Sequence, residues 1–274
     1  MTFWMRRCAP LLLLALAAHC LAGETLDRIQ GRKELVEVVD PDYPPFAFLN
    51  DSNHMDGFDV DVAKAVAQRL GVRLRIETPS WELVIAGHWR GRWDLCICSM
   101  TPDQRKAQVL DFVAPYYNSP AVLVTTAQNT GLQSIRELSG KRVGVEQGSS
   151  YERYLQKDLV IAAPDAKALS YPFNDVRIAP YANEDLAFQD LALGAGRRID
   201  AVLSNLGTAS ARLDRMRGKF RIVGEPLYVE PNWVAIDKGD PQWSALLART
   251  LAELKKDGTL ARLSVKWLGK DLTP

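Results

Sequence analysis

The sequence predicts an α/β fold of two lobes, each a mostly parallel sheet flanked by helices. After the first 22 residues, apolar strand-like runs alternate with segments of helical periodicity. Two extended apolar segments, at 121–126 and 228–236, bracket the second group of these elements. A chain that leaves one lobe and later returns to it would give this pattern. We therefore expect a ligand cleft between the lobes and hinges in the two crossings.

The first group of elements predicts a βαβαβ unit. Its helix is the clearest element, because Val62, Val66 and other apolar residues recur at helical spacing, with Asp59 available to cap the start and Gly71 to end it. An apolar run that ends at Asp40 predicts the buried first strand. The predicted elements are strand 35–39, helix 58–70, strand 72–77, helix 83–89 and strand 92–98.

The second group predicts a smaller α/β unit followed by a helical tail. A stretch with two prolines at 162–176 interrupts the unit and predicts an inserted loop. The predicted elements are a short helix or turn at 135–138, strand 142–145, helix 149–155, strand 178–181, helix 184–195, strand 199–203, and then helices 243–256 and 260–267.

Residues 1–22 have the pattern of an export signal. Arg6 and Arg7 form the basic start, an apolar run follows, and small residues lie near Ala22. At about 12 residues the apolar stretch is well short of the roughly 20 needed to span a bilayer. Lipid attachment at Cys20 is an alternative that the preceding His19 disfavours. We therefore expect a cleaved signal peptide and a periplasmic protein.

The charge of the chain excludes some partners. The full sequence has 34 basic and 33 acidic residues, and removing the signal peptide removes two arginines and no acids. The mature protein is therefore close to neutral, which gives no electrostatic basis for binding nucleic acid or an anionic membrane surface.

Two cysteines remain after the signal peptide, Cys96 and Cys98. At this spacing in a strand their Cα atoms are about 6.5–7 Å apart, at or beyond the edge of disulfide geometry. No histidine or further cysteine lies nearby in the sequence to complete a metal site. We expect two small buried residues in a strand.

A series of short motifs runs in order along the mature chain. The motifs are Tyr-Pro-Pro-Phe at 43–46, Gly-Phe-Asp-Val-Asp at 57–61, Trp81, the segment 94–101, Asp-Phe at 111–112, Pro-Tyr-Tyr at 115–117, Leu-Ser-Gly-Lys-Arg-Val-Gly-Val at 138–145, Gln-Gly-Ser at 147–149, Ile-Asp-Ala at 199–201, Asp-Gly-Thr at 257–259 and Lys-Trp at 266–267. With these motifs the chain resembles the family-3 extracellular solute-binding proteins, the polar-amino-acid binders of ABC importers.

The resemblance implies a type II periplasmic-binding-protein clamshell. It implies lobe one at 23–121 plus 230–274 and lobe two at 122–229, after the signal peptide. The implied ligand is an amino acid or a related carboxylate, and the implied partner is the membrane permease of an ABC importer. We expect a monomer without cofactor or metal.

The resemblance also implies residues that line the cleft in lobe one. Tyr43 and Trp81 match the aromatic positions that hold the ligand's side chain, and Asp40 lies at the same strand ends, where open α/β sheets bind their ligands. Three small residues that follow the third strand match further cleft positions: Cys98, Ser99 and Thr101.

In lobe two the family holds the ligand's α-carboxylate at the start of a helix. Free backbone N–H groups and a partial positive charge suit an anion there. The matching turn in this sequence consists of Gly148, Ser149, Ser150 and Tyr151. An ordinary Gly-Ser helix cap is the alternative interpretation.

One departure from the family's pattern concerns the arginine that holds the ligand's carboxylate. Its position maps to Lys106, and the only arginine nearby is Arg105. Either the loop presents Arg105, or Lys106 serves as a simpler point charge. We favour Arg105, because a guanidinium fork matches a carboxylate with two hydrogen bonds.

A second departure concerns the aspartate that pairs with the ligand's ammonium group. This position maps to Asn205, and a neutral amide leaves a buried cation without a counter-charge. Either another acid compensates, or the ligand is not a standard α-amino acid. The candidate acids are Glu146, Asp40 and Glu184.

These features favour a binding protein over an enzyme. The sequence contains no Gly-x-Ser-x-Gly elbow, no phosphate-binding Gly-Lys loop and no metal-ligand cluster. Two alternatives stay open. Periplasmic cyclohexadienyl dehydratases resemble the same fold family, and a protein that presents its ligand to a sensor or partner subunit would have the same site.

Overall fold

The structure is a computed structural model that describes residues 24–274. The predicted signal peptide and the question of lipid attachment at Cys20 lie outside the described residues. The helices in this range are α1 (Glu24–Arg32), α2 (Phe58–Leu70), α3 (Trp81–Ile85), α4 (Ser150–Leu155), α5 (Glu184–Ala192), α6 (Leu206–Arg215), α7 (Pro241–Lys256) and α8 (Thr259–Leu268). The strands are β1 (Glu34–Val38), β2 (Asp42–Tyr43), β3 (Ala47–Leu49), β4 (Met55–Asp56), β5 (Arg73–Glu77), β6 (Cys96–Met100), β7 (Leu110–Thr126), β8 (Arg142–Glu146), β9 (Arg177–Tyr181), β10 (Ala201–Asn205) and β11 (Phe220–Asp237). Across residues 24–274, every helix is too short or too polar to cross a membrane.

The first lobe is built on a sheet with β1 near its centre. β1 pairs in parallel with β5, and a bridge between Glu37 and Leu95 joins it to the segment that leads into β6. β6 pairs with the C-terminal half of β11, which in turn pairs with the first half of β7. Helices α2, α7 and α8 cover this sheet and bury a core that includes Phe58, Trp243 and Leu251.

The second lobe is built on the second half of β7. That half pairs with β10 in antiparallel orientation, and β10, β8 and β9 follow as parallel neighbours. Two apolar clusters lie on its faces, one around Tyr154 of α4 and the other around Phe188 of α5. Both lobes are sheets flanked by helices, so the predicted two-lobed α/β clamshell is confirmed.

The crossings between the lobes are parts of two long strands. β7 and β11 pair with each other from one lobe into the other, with Ser119 opposite Glu230 and Pro120 opposite Val229 at the boundary. The sequence predicted extended segments near these positions. Because the two crossings hydrogen-bond to each other, their backbone groups are satisfied where neither lobe's core surrounds them.

Several elements differ from the predictions. Helix α6 was not predicted. The small sheet of β2, β3 and β4 was not predicted either, because strands of two or three residues are too short for a periodic signal. The predicted helix at 83–89 is shorter and begins earlier, as α3. Gly87 follows it with a left-handed φ of 64°, which ends the helix.

The start of α2 also differs from the prediction. Gly57 occupies the cap position, and no side chain caps the helix. Asp59 is buried instead, and its carboxylate accepts hydrogen bonds from the Ser99 and Tyr116 hydroxyls at 2.7 and 2.8 Å. The prediction that Asp59 caps the helix is therefore wrong. Gly71 ends the helix in the left-handed conformation, as predicted.

Candidate functional site

A cavity of about 410 Å³, which includes space open to solvent, lies where the two lobes meet. It takes residues from the strand ends of both lobes and from one crossing. The lining residues are Asp40, Tyr43, Trp81, Cys98, Ser99, Met100, Thr101, Lys106, Glu146, Ser149, Ser150, Tyr151 and Glu230. The structure thus brings together ten of the cleft residues that the sequence singled out. Arg105, Gly148 and Asn205 do not line this cavity.

Two acids in the cavity have a buried carboxylate oxygen without a hydrogen-bond partner: Glu146 and Glu230. Glu146 ends β8 and is 8% exposed, and Glu230 lies on the crossing strand β11 and is 2% exposed. Burial raises the pKa of Glu230, and burial together with the neighbouring Asp40 charge raises the pKa of Glu146 well above its usual value. Glu230 was missed in the sequence, because nothing in an extended apolar run marks which residue faces a cleft.

The acids at one end of the cavity interact with each other. A side-chain hydrogen bond links Asp40 and Glu146, and burial raises the pKa of Asp40. Glu184 lies behind them, and burial raises its pKa to about 7 even though Arg212 lowers it. Asp40 and Glu146, two of the acids that the sequence offered as compensation for the neutral Asn205, therefore lie together at the cavity, and their role towards a ligand stays a prediction.

The structure places Lys106 and Arg105 differently. Lys106 lines the cavity and is buried, and its ammonium group forms a 2.7 Å ion pair with Asp103. Arg105 points away from the cavity with its side chain 65% exposed, and it pairs with Asp158 at 3.3 Å. Lys106, the alternative, is therefore the one of the two that lines the cavity, and which of them holds a ligand stays a prediction. The Asp103 carboxylate accepts the backbone N–H groups of both residues at 2.9 Å, which fixes this loop geometry.

The turn before α4 is capped by its own helix. The Gly148 N–H donates to the Glu152 carboxylate at 2.6 Å, and the Ser149 hydroxyl accepts from the Glu152 N–H at 3.2 Å. These bonds match the helix-cap alternative. Ser149, Ser150 and Tyr151 nevertheless face the cavity, and a role for them in holding a ligand stays a prediction.

Asn205 lies next to the cavity and connects the two lobes. Its amide caps α6 by accepting the Thr208 N–H at 2.8 Å, and it also donates to the Tyr43 hydroxyl. A second pair of contacts reaches the same loop of the first lobe, because Asn183 and Arg212 donate to Asp42 at 2.9 and 3.1 Å. Through its hydrogen bond to Tyr43, Asn205 therefore helps to hold the two lobes together.

Ser99 joins the cavity to a buried network in the first lobe. Its backbone has a positive φ of 53°, and its N–H donates to the Tyr116 hydroxyl at 2.7 Å. Its own hydroxyl donates to Asp59, whose pKa burial raises to about 7. This network fixes the Ser99 side chain at the edge of the cavity.

Cys96 and Cys98 form a disulfide in the structure. Both residues are buried in β6, as expected, but the expectation that their spacing excludes a bond between them is wrong. Their Cα atoms are 5.3 Å apart, closer than an extended strand gives and within the disulfide range. Cys98 places this disulfide in the cavity wall. Among residues 24–274 no group of three or more potential ligands could hold a metal ion.

Comparison with known proteins adds to this geometry. Residues 35–270 match the sequence model of the bacterial extracellular solute-binding proteins, family 3. The L-cystine-binding protein TcyJ of Escherichia coli (strain K12) is 29% identical over 249 residues, which cover 90% of this chain and 87% of that protein.

Two solved structures share the fold over nearly their whole length. An ancestral arginine-binding protein bound to arginine has a TM-score of 0.75 and 32% identity, covering 87% of this chain and 99% of that chain. The ancestral amino acid-binding protein AncCDT-1, described as a precursor of cyclohexadienyl dehydratase, has a TM-score of 0.75 and 28% identity, covering 89% and 99%.

Proposed function

The chain belongs to family 3 of the bacterial extracellular solute-binding proteins, and from this we propose that it captures a small polar, amino-acid-like ligand in the periplasm and delivers it to the permease of an ABC importer. The observation that carries the proposal is the cavity, whose lining comes from both lobes and from the crossing between them. The proteins of similar sequence and fold are named as binders of cystine, arginine and other amino acids, which supports an amino-acid-like ligand.

The capture mechanism is closure of the lobes over the ligand. Tyr43, Trp81 and Thr101 approach the cavity from the first lobe, while Glu146 and Tyr151 approach it from the second. A ligand makes both sets of contacts only in the closed arrangement, so it shifts the population towards that arrangement. The permease would then recognise the closed surface.

Ligand binding should raise the melting temperature of the purified mature protein. A ligand that binds only the folded state at 100 times its Kd adds about 2.7 kcal/mol, or roughly 5–10 °C for a protein of this size. The measurement is a thermal-shift screen with amino acids, polyamines, opines and dicarboxylates. If no compound in this panel shifted the transition, capture of a small polar ligand would be contradicted.

We propose a binding role without catalysis, although one structural relative is a precursor of a dehydratase. A ligand held by hydrogen bonds and charge is released unchanged, so incubation with prephenate or arogenate should leave their absorbance unchanged over hours. Turnover that disappears in a Glu146→Gln variant would contradict this proposal and establish the dehydratase alternative.

The proposed transport partner and the proposed oligomeric state follow from the same family membership. We propose that the protein acts as a monomer, because each chain contains a complete cavity. Presentation of the ligand to a sensor instead of a permease would use the same closed surface. Pull-down from solubilised membranes with the ligand-loaded protein would distinguish the two, because recovery of an ABC permease supports transport and recovery of a sensor protein instead contradicts it.

A further inference from the structure

Carboxyl groups outnumber free cations in the cavity. Asp40, Glu146 and Glu230 line it, and Lys106 is the single lysine or arginine among the lining residues that the structure describes. The Lys106 ammonium group is already neutralised by Asp103 at 2.7 Å, and both side chains are buried. As a pair, Lys106 and Asp103 bring no net charge to the cavity.

Two of the groups that the sequence led us to expect on a bound carboxylate are already paired elsewhere. Arg105 lies outside the cavity and pairs with Asp158. The Gly148 N–H is taken by the Glu152 carboxylate. A ligand carboxylate in this cavity would therefore meet three acids and no unpaired cation, which is an unfavourable arrangement in a poorly solvated site.

The buried polar atoms that lack partners indicate which groups the ligand brings. Glu146 Oε1 and Glu230 Oε2 each lack a hydrogen-bond partner. The hydroxyls of Ser150, Tyr151 and Thr101 stabilise the charged form of Glu230 but bring no positive charge. Trp81 Nε1 and the Thr101 hydroxyl are unpartnered neutral donors, and such groups suit an ether, hydroxyl or carbonyl oxygen. Ammonium and guanidinium groups offer several charged donors and no acceptor.

The two unpartnered carboxylate oxygens lie at separate places. Glu146 ends β8 and forms a pair with Asp40 from the opposite lobe. Glu230 lies on β11, where the strand crosses between the lobes. Two acidic sites on different elements fit two cationic nitrogens joined by a short chain.

We propose that the ligand is a small organic dication with two protonated nitrogens and no free carboxylate, of the diamine or guanidino-amine class. This inference rests on the proposed capture of a small polar ligand between the lobes. One nitrogen lies at the Asp40–Glu146 pair and the other at Glu230. The unbranched chain between them packs against Tyr43 and Trp81, the aromatic residues of the cavity wall.

The test compares amines with the amino acids that differ from them only by the carboxylate. The affinities are measured by isothermal titration of the mature protein. The pairs are agmatine and arginine, cadaverine and lysine, and putrescine and ornithine, so each comparison gives the effect of the carboxylate on the Kd. We expect the amine of at least one pair to bind ten times more tightly than its amino acid. Equal or tighter binding of the amino acid in every pair overturns the inference and leaves the proposed function standing. If neither these compounds nor the wider panel bind, both fail.

A charge-neutral variant tests the placement of the second nitrogen. Glu230→Gln should weaken binding of the preferred amine at least tenfold. Glu225→Gln, the same change on an exposed residue of β11, should leave it unchanged. Glu146→Gln provides the equivalent loss at the other site if the Glu230 variant does not fold. Unchanged affinity in a folded Glu230→Gln or Glu146→Gln variant overturns the assignment of that acid.

Discussion

Replacing Gly148 with alanine is expected to weaken ligand binding by up to about fivefold while the protein stays folded. Gly148 belongs to the second lobe, and a Cβ atom there would overlap the end of the Ile85 side chain of the first lobe. The overlapped atom is the terminal methyl group of Ile85, which can rotate aside, so the cost is at most the lower end of the roughly 1–3 kcal/mol typical of overpacking. About 1 kcal/mol is roughly a fivefold change in affinity. Because the overlap exists only when the lobes are closed, the penalty falls on the binding step. The measurement is the Kd of the best ligand from the thermal-shift screen.

Two controls separate this steric effect from backbone strain. Gly140 has nearly the same left-handed φ, 73° against 75°, but a Cβ there would meet no atom within 4 Å. Gly140→Ala should therefore lose a similar amount of stability and bind ligand normally. Adding Ile85→Val to Gly148→Ala removes the overlapping methyl group and should restore most of the affinity. If the double variant binds as weakly as Gly148→Ala, the overlap is not the cause.

The ligand-free protein is expected to lose stability as the pH rises from 5 to 8. Burial raises the folded-state pKa of both Asp59 and Glu184 to about 7, while their unfolded values stay near 4. The folded state then binds more protons than the unfolded state between these values. A group of this kind contributes its full stability below the unfolded pKa and loses it as the pH rises through the folded pKa. At about 1.4 kcal/mol per pKa unit, each group accounts for about 3–4 kcal/mol.

The measurement is urea unfolding at pH 5, 6, 7 and 8 without ligand. Asp59→Asn is the informative variant, because asparagine does not titrate. Ser99 and Tyr116 donate to different oxygens of Asp59, and the single amide oxygen can accept only one of these bonds, so the variant loses some stability at every pH. Its stability should depend on pH less steeply than that of the wild-type protein, by the share that Asp59 contributes. Stability that is constant or increases from pH 5 to 8 would contradict the prediction.

Most of the residues that line the cavity could be predicted from the sequence, because they lie at the ends of strands. Asp40 follows β1, Ser99 and Thr101 lie at the end of β6, and Glu146 ends β8. In an open α/β sheet, loops at the carboxyl ends of the strands meet at one edge. Once apolar runs and helical periodicity located the strands, the polar residues after them marked the cleft.

The errors concern residues whose position depends on distant parts of the chain. Asp59 fits a helix-cap pattern, yet Tyr116 and Ser99, distant in sequence, bury its carboxylate. Cys96 and Cys98 form a disulfide because their segment is less extended than a regular strand. Glu230 faces the cavity because of its register opposite Ser119 in the crossing pair.

By itself the sequence determined the α/β class, the two lobes with their two crossings, and the strand ends where a ligand would lie. These features depend on local periodicity and on the order of short motifs, both of which are written along the chain. The charge of the cavity was decided only by the tertiary structure. Packing pairs Lys106 with Asp103, turns Arg105 towards Asp158 and brings Glu230 beside the acids of the strand ends. A net charge is a sum over side chains from separate elements, so it exists only after those elements are packed together.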